Sequence, residues 1–139
     1  MGKIIVITLV LFLGSCLASY GQSQLHEEME PQSMLNIAEA AICTDVFDRT
    51  PTGIAQAFSS DIEKLYCFTN VVGATKETFV KHLWYFDHQM MAEVTLPVKS
   101  VRWRTYSSKK ILPQWQGSWR VEIQDENGQI LTTVDFEIR

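Results

Sequence analysis

The sequence predicts an all-β domain, and two patterns support that prediction. After Met34, apolar and polar side chains mostly alternate with a period of two, as in strands that bury one face. Residues 119–124 and 130–139 show the clearest alternation. Asn127-Gly128 lies between these runs and favours a hairpin turn, because both residue types tolerate positive φ. We therefore expect an antiparallel hairpin at the C-terminal end of the domain.

Five further strands are expected upstream, separated by turn-forming residues. They are residues 38–48, 64–71, 78–86, 91–98 and 101–107. Thr50-Pro51-Thr52-Gly53 would end the first of them, and residues 54–58 after it are compatible with a short helix. Seven short strands with frequent turns and no long helical period predict an antiparallel β-sandwich, either immunoglobulin-like or a partly closed barrel.

The first residues predict export. Lys3 precedes the apolar run 4–13, which ends at the small residues Gly14-Ser15-Cys16. A basic start, a short apolar core and a small-residue exit are typical of a signal peptide, and the run is too short to span a bilayer. We assign residues 1–21 to this signal, 22–34 to a disordered polar segment and 35–139 to a single β domain. The expected location is the periplasm, or the membrane surface if the protein is a lipoprotein.

Two routes of signal cleavage fit the same residues. Leu13-Gly14-Ser15-Cys16 matches a lipobox, which would place the cut before Cys16 and acylate it. Cys16-Leu17-Ala18 and Ser19-Tyr20-Gly21 instead fit ordinary cleavage near residues 19–22. Both routes remain open, and a lipid on Cys16 is the only membrane contact that the sequence predicts.

Charge and cysteine content narrow the partners and the covalent structure. The formal net charge of −4, without a long basic run, argues against nucleic acid as a partner. If Cys16 is discarded or lipidated, Cys43 and Cys67 remain as a pair in a compartment that permits disulfides. A Cys43–Cys67 disulfide is therefore expected, and the alternative is two buried thiols that pack as small hydrophobic side chains.

The best candidate binding surface is a basic segment in an otherwise acidic chain. Its candidate ligand-binding residues are Arg102, Arg104, Tyr106, Ser107, Ser108 and Lys109, together with Trp115 in the following loop. Arginine can bind a carboxylate or phosphate through two parallel hydrogen bonds, and an aromatic ring offers a flat surface to a sugar. In a strand, Arg102, Arg104 and Tyr106 would project from the face opposite Ser107. The alternative is that Arg104 pairs with Asp135 or Glu137, and that the two serines cap a turn.

Catalytic and metal-binding patterns are not found in a supporting context. His82 lies on an apolar stripe with Trp84, which favours a core histidine whose ring nitrogens are hydrogen bonded. Ser107 to Lys110 contains Ser-x-x-Lys, but this spacing follows a strand and lacks the partner motifs of the penicillin-binding enzymes. No histidine spacing fits a zinc site, and no cofactor is expected.

Four residue groups occur in an order that resembles a known family. They are Leu65-Tyr66-Cys67-Phe68-Thr69, His82-Leu83-Trp84-Tyr85, Trp103-Arg104-Thr105-Tyr106-Ser107-Ser108-Lys109 and Gly117-Ser118-Trp119. The chain resembles a bacterial envelope-associated family, domain of unknown function 2914, from about residue 46 to residue 138. Tyr106 is a mild departure, since tryptophan is more often expected there. The resemblance implies kinship and no catalytic residue, because the family has no established activity.

Together these observations predict an exported, envelope-associated, non-catalytic binding module. Its basic and aromatic segment would contact a cell-wall glycan, an anionic wall component or another envelope protein. The alternative is a structural or assembly protein that pairs with another chain through an exposed strand edge.

Overall fold

The computed structural model describes residues 33–139, which form ten strands and no helix. In chain order the strands are β1 Asn36–Cys43, β2 Asp45–Phe47, β3 Thr50–Thr52, β4 Ala57–Phe58, β5 Lys64–Val72, β6 Thr78–Phe86, β7 Gln89–Val98, β8 Arg102–Lys110, β9 Gly117–Gln124 and β10 Ile130–Ile138. The predicted all-β class is confirmed, and the seven long strands lie where the seven strands were expected, except that the expected strand 38–48 ends at Cys43 and its last residues form β2. The predictions for residues 1–32, including Cys16, lie outside the described residues.

Two sheets face each other across one core. Sheet A has the strand order β1-β5-β8, and sheet B has the order β4-β10-β9-β6-β7. Every pair is antiparallel except β4 with β10, and β2 and β3 form a separate hairpin. The arrangement is a sandwich and not a closed barrel. Within residues 33–139, no helical segment has the length and apolarity that crossing a bilayer requires.

The core is built from the inward-facing positions of both sheets, as the alternating pattern requires. Its fully buried members include Ile42, Leu65, Cys67 and Val71 from sheet A and Val80, Trp84, Val121 and Ile123 from sheet B. The Phe136 ring stacks on the Trp119 ring with their centroids 5.8 Å apart. Trp84 meets Phe136 edge-on at 6.2 Å, so three aromatic side chains fill the centre.

The expected short helix at residues 54–58 is wrong. Ala57 and Phe58 instead form β4, which pairs in parallel with Glu137 and Ile138 of β10. Arg139 N donates to Phe58 O at 2.9 Å, so the segment satisfies its backbone groups across the sheet. Five residues are too few to form a stable helix without strong packing, and here the sheet edge offers the better partners.

The C-terminal hairpin is confirmed, with residues 125–129 between its strands as expected. Asp125 Oδ1 accepts hydrogen bonds from the backbone nitrogens of Asn127 and Gln129, each at 2.9 Å. Gly128 has φ of 81°, whereas Asn127 is not among the residues with positive φ. The turn is therefore held by the aspartate side chain, with only the glycine in the left-handed region.

The expected disulfide is not formed. Cys43 and Cys67 are free thiols, both buried, on the neighbouring strands β1 and β5. Cys43 lies opposite Tyr66 and Cys67 lies opposite Ile42, so the two cysteines are one register position apart. Because successive residues of a strand point to opposite faces, Cys67 points into the core and Cys43 points to the outside of sheet A. A bridge would need a one-residue shift of a strand.

We expect the domain to contain two unreactive thiols. Burial raises the pKa of Cys67 to about 12 and also raises the pKa of Cys43, so the reactive thiolate is scarce at both positions. Titration of residues 33–139 with a thiol reagent should give almost no reaction when folded and two thiols per chain in denaturant. A mass 2 Da lower than that of the reduced chain would contradict this.

Candidate functional site

Strand β8 is an edge strand of sheet A, and its two faces have different surroundings. The exposed positions are Arg102, Arg104, Tyr106, Ser108 and Lys110. The intervening residues are half-buried or buried and face the core. The predicted alternation is therefore present, and the basic side chains share the outer face with Tyr106.

Pairing with β5 adds two residues to this outer face. Lys64 lies opposite Lys110, and Tyr66 lies opposite Ser108. The rings of Tyr66 and Tyr106 meet edge-on with centroids 5.8 Å apart, and Lys64 Nζ lies 5.7 Å from the Tyr66 centroid. We call this surface the cationic platform; its residues are Lys64, Tyr66, Arg102, Arg104, Tyr106, Ser108 and Lys110.

The platform cations have no acidic partners among residues 33–139. The three salt bridges of this part of the chain are Lys81–Glu93, Arg120–Glu122 and Arg139–Glu137. The alternative, a pairing of Arg104 with Asp135 or Glu137, is not found among these salt bridges, and both acids lie on β10 of sheet B. Four unpaired positive side chains on one face create a local field that attracts anions.

Ser107 does not belong to the platform. It is 4% exposed and points into the core, so its assignment as a ligand-binding residue is corrected. Trp84 Nε1 donates to Ser107 Oγ at 3.0 Å, and Ser107 Oγ lies 2.7 Å from His82 Nδ1. On the other side of the imidazole, Nε2 lies 2.9 Å from Thr69 Oγ1.

These contacts form a continuous hydrogen-bond chain. The indole N–H can only donate, so Ser107 Oγ accepts it. A neutral imidazole has one donor and one acceptor nitrogen, so one of the two flanking hydroxyls donates to the His82 ring and the other accepts from it. Every member has a partner, which is the arrangement that a buried polar group requires.

The buried chain is structural in character. His82 is completely inaccessible, and burial lowers its pKa to about 4, so the ring is neutral near pH 7. A serine hydroxyl beside an imidazole is also the composition of a nucleophile and its base. Here neither group is open to a substrate, and the chain instead joins β5 and β8 of sheet A to β6 of sheet B.

Lys109 and Trp115 form a third, separate group. Lys109 Nζ lies 4.8 Å from the Trp115 ring centroid and donates to the Lys110 carbonyl at 3.1 Å. Burial lowers the pKa of Lys109. Lys109 is on the core-facing side of β8, so these two predicted site residues contact each other away from the platform. Sequence reasoning also missed Lys64 and Tyr66, whose role depends on the register between β5 and β8.

The fold and surface define a β-sandwich domain with an exposed basic and aromatic face. Residues 77–138 match a family described as Protein of unknown function (DUF2914), which confirms the predicted resemblance over these residues. The match includes β8 but begins after Lys64 and Tyr66, and the resemblance expected for residues 46–76 stays a prediction.

No curated protein matches the chain in sequence. Among solved structures, the chain is similar to a mutant β-glucosidase from Listeria innocua in complex with laminaribiose. The TM-score is 0.42 and the identity 6%, with 76% of this chain and 16% of that chain covered.

We expect the stability of the domain to fall as the pH decreases from about 6.5 to 4. Folding lowers the pKa of His82 from 6.5 to about 4, so between these values the unfolded chain binds the proton more readily. The loss should reach up to about 3 kcal/mol. Urea unfolding at several pH values measures it, with His82→Gln as the variant that should flatten this part of the profile. An NMR titration that places the imidazole pKa near 6.5 in the folded protein would contradict the prediction.

Proposed function

We propose that this domain is a non-catalytic binding module for an anionic polymer of the bacterial envelope. The observation that carries the proposal is the cationic platform, in which four unpaired positive side chains surround two tyrosine rings. The envelope location rests on the export signal expected from the sequence.

The dimensions of the platform favour a polymer over a single small anion. Arg102 and Lys110 lie eight residues apart on β8, which corresponds to roughly 26 Å along a strand. Alternate residues repeat at about 7 Å, so Arg102 and Arg104 can contact successive anionic groups of an extended chain. Such a flat, exposed face suits a ligand that binds through many weak contacts.

The residue types of the platform suggest a polymer that contains sugars. The arginines can bind carboxylates or phosphates through two parallel hydrogen bonds, and the lysines add positive charge. Tyr106 is 46% exposed and presents apolar ring surface beside these charges. Ser108 adds an exposed hydroxyl that lies between Tyr106 and Lys110 on β8 and opposite Tyr66 of β5. An anionic polysaccharide offers both the charges and the ring faces that this surface can contact.

Removal of two platform cations should weaken binding about tenfold, since each exposed ion pair contributes up to about 1 kcal/mol. The measurement is co-sedimentation of residues 34–139 with isolated cell-wall sacculi at low and moderate salt. Arg104→Ala/Lys110→Ala removes two charges from the platform. Lys81→Ala/Arg139→Ala is the matched control, because it removes the same net charge from side chains on or beside sheet B.

The two variants separate a local surface from a general charge effect. We expect the platform variant to lose binding and the control to retain it, with wild-type binding weakened by salt because exposed charges are screened. Equal losses in both variants would reject the platform as the binding surface. No pelleting of the wild-type domain at low salt would reject the proposed function.

A second candidate function is association with another chain through a strand edge. β4 pairs with only two residues of β10, Glu137 and Ile138. The remaining residues along the same edge of β10 lie beside β1. A groove of about 500 Å³ lies there, lined by residues 37–42 of β1 and residues 132–135 of β10. Such edges can accept an additional strand through backbone hydrogen bonds. Sedimentation velocity would support this function if it shows association that persists at high salt and in the platform variant.

A further inference from the structure

Part of the outer face of sheet A is covered. Phe68 and Asn70 lie opposite Tyr106 and Arg104 in the register of β5 with β8, so both point outward. Phe68 is nevertheless 1% exposed and Asn70 is 5% exposed, although neither belongs to the core between the sheets. Another segment must therefore lie over them.

The β2–β3 hairpin is that segment. It contacts β5 and β1. Val46 and Pro51 are paired across the hairpin and half-buried, whereas Phe47, the last residue of β2, is 77% exposed. One face of the hairpin is thus packed and the other is open. The Arg49 guanidinium lies 5.8 Å from the Trp103 ring centroid, so the tip reaches the edge strand β8.

The hairpin is attached to the sheet mainly at its base. Thr44 N donates to Thr52 O at 3.1 Å, and Ala55 N donates to Ile42 O at 3.3 Å. Among residues 33–139, no hydrogen bond or salt bridge joins residues 45–52 to β5 or β8. Gly53 at the base has φ of +68°, and a Cβ there would collide with Thr44 Oγ1. Beyond its base, the hairpin is held against the sheet by packing and by the Arg49–Trp103 contact.

An unsatisfied polar atom lies beneath the hairpin. Asn70 Oδ1 is buried and has no hydrogen-bond partner. A buried amide oxygen without a donor destabilises the folded state, so its presence calls for an explanation. Asn70 lies directly opposite Arg104, a residue of the cationic platform. A ligand held by Arg104 would therefore lie next to this oxygen.

We propose that the β2–β3 hairpin is a flap over a hydroxyl-binding subsite of the cationic platform, with Asn70 as its floor. When the flap lifts, a ligand hydroxyl donates to Asn70 Oδ1 while a neighbouring anionic group pairs with Arg104. This inference rests on the proposed function and narrows the ligand to an anionic polysaccharide. A polyanion without hydroxyl groups can bind the cations but cannot satisfy Asn70.

The test compares two polymers of similar length, polygalacturonate and polyglutamate, which both carry carboxylates while only the first carries hydroxyls. Wild-type residues 34–139 should bind polygalacturonate about threefold to tenfold more tightly, per carboxylate, than they bind polyglutamate. This difference is the effect expected of one hydrogen bond. Asn70→Leu should lose this preference and bind polyglutamate as the wild type does. Isothermal titration calorimetry at low salt measures both affinities.

A stability measurement separates a binding role from a structural one. Asn70→Leu removes the unpaired oxygen and adds apolar contact beneath the hairpin, so its Tm should rise by about 4 °C or more. Thr95→Val is the control, a polar-to-apolar exchange at an exposed position of β7 that should change neither Tm nor preference. Higher stability together with lost selectivity is the result that supports the subsite.

The other outcomes overturn the inference in distinguishable ways. Equal wild-type affinity for both polymers, unchanged in Asn70→Leu, would reject the subsite and leave the platform as a plain polyanion surface. If a stable Asn70→Leu variant lost affinity for both polymers equally, Asn70 would only shape the platform and the subsite would be rejected. No wild-type binding to either polymer would reject the subsite together with the proposed function.

Discussion

The hydrogen-bond chain from Trp84 through Ser107 and His82 to Thr69 fixes the position of β8, and the outer surface depends on that position. β8 is an edge strand with β5 as its one neighbour in sheet A. If β8 slipped by one residue, Ser107 would turn outward and charged side chains would turn inward. The indole and imidazole would then lose their partners in a medium where an unpaired polar group is costly.

This constraint gives one strand two roles. Its core-facing side closes the sandwich, and its outer side carries side chains that nothing else in sheet A neutralises. The two sheets differ in this respect, because on sheet B Lys81 pairs with Glu93 and Arg120 pairs with Glu122. Positive charge on an exposed edge also disfavours unwanted strand pairing. The platform cations are therefore compatible with both a binding role and protection of the edge.

The β2–β3 hairpin shows how a small element changes the character of a surface. Without it, the outer face of β5 would present Phe68 and Asn70 to solvent beside the platform. With it, both are buried, and the amide oxygen of Asn70 is left without a donor. The hairpin buries apolar surface but leaves one polar atom without a hydrogen bond. A ligand that donated a hydrogen bond to this atom would remove the cost of leaving it unpaired.

The sequence by itself determined the elements that depend on local pattern: the seven long strands, the C-terminal hairpin, the alternation of β8 and the buried state of His82. Each follows from the period of two or from the conformational freedom of a few turn residues. Only the tertiary structure decided which strands are neighbours and in what register. That register placed Ser107 in the core, grouped Lys64 and Tyr66 with Arg104, and set Cys43 and Cys67 on opposite faces. A register shift of one residue would change which residues are neighbours across the strands while leaving the alternation along each strand unchanged. The alternation alone therefore cannot determine these neighbours.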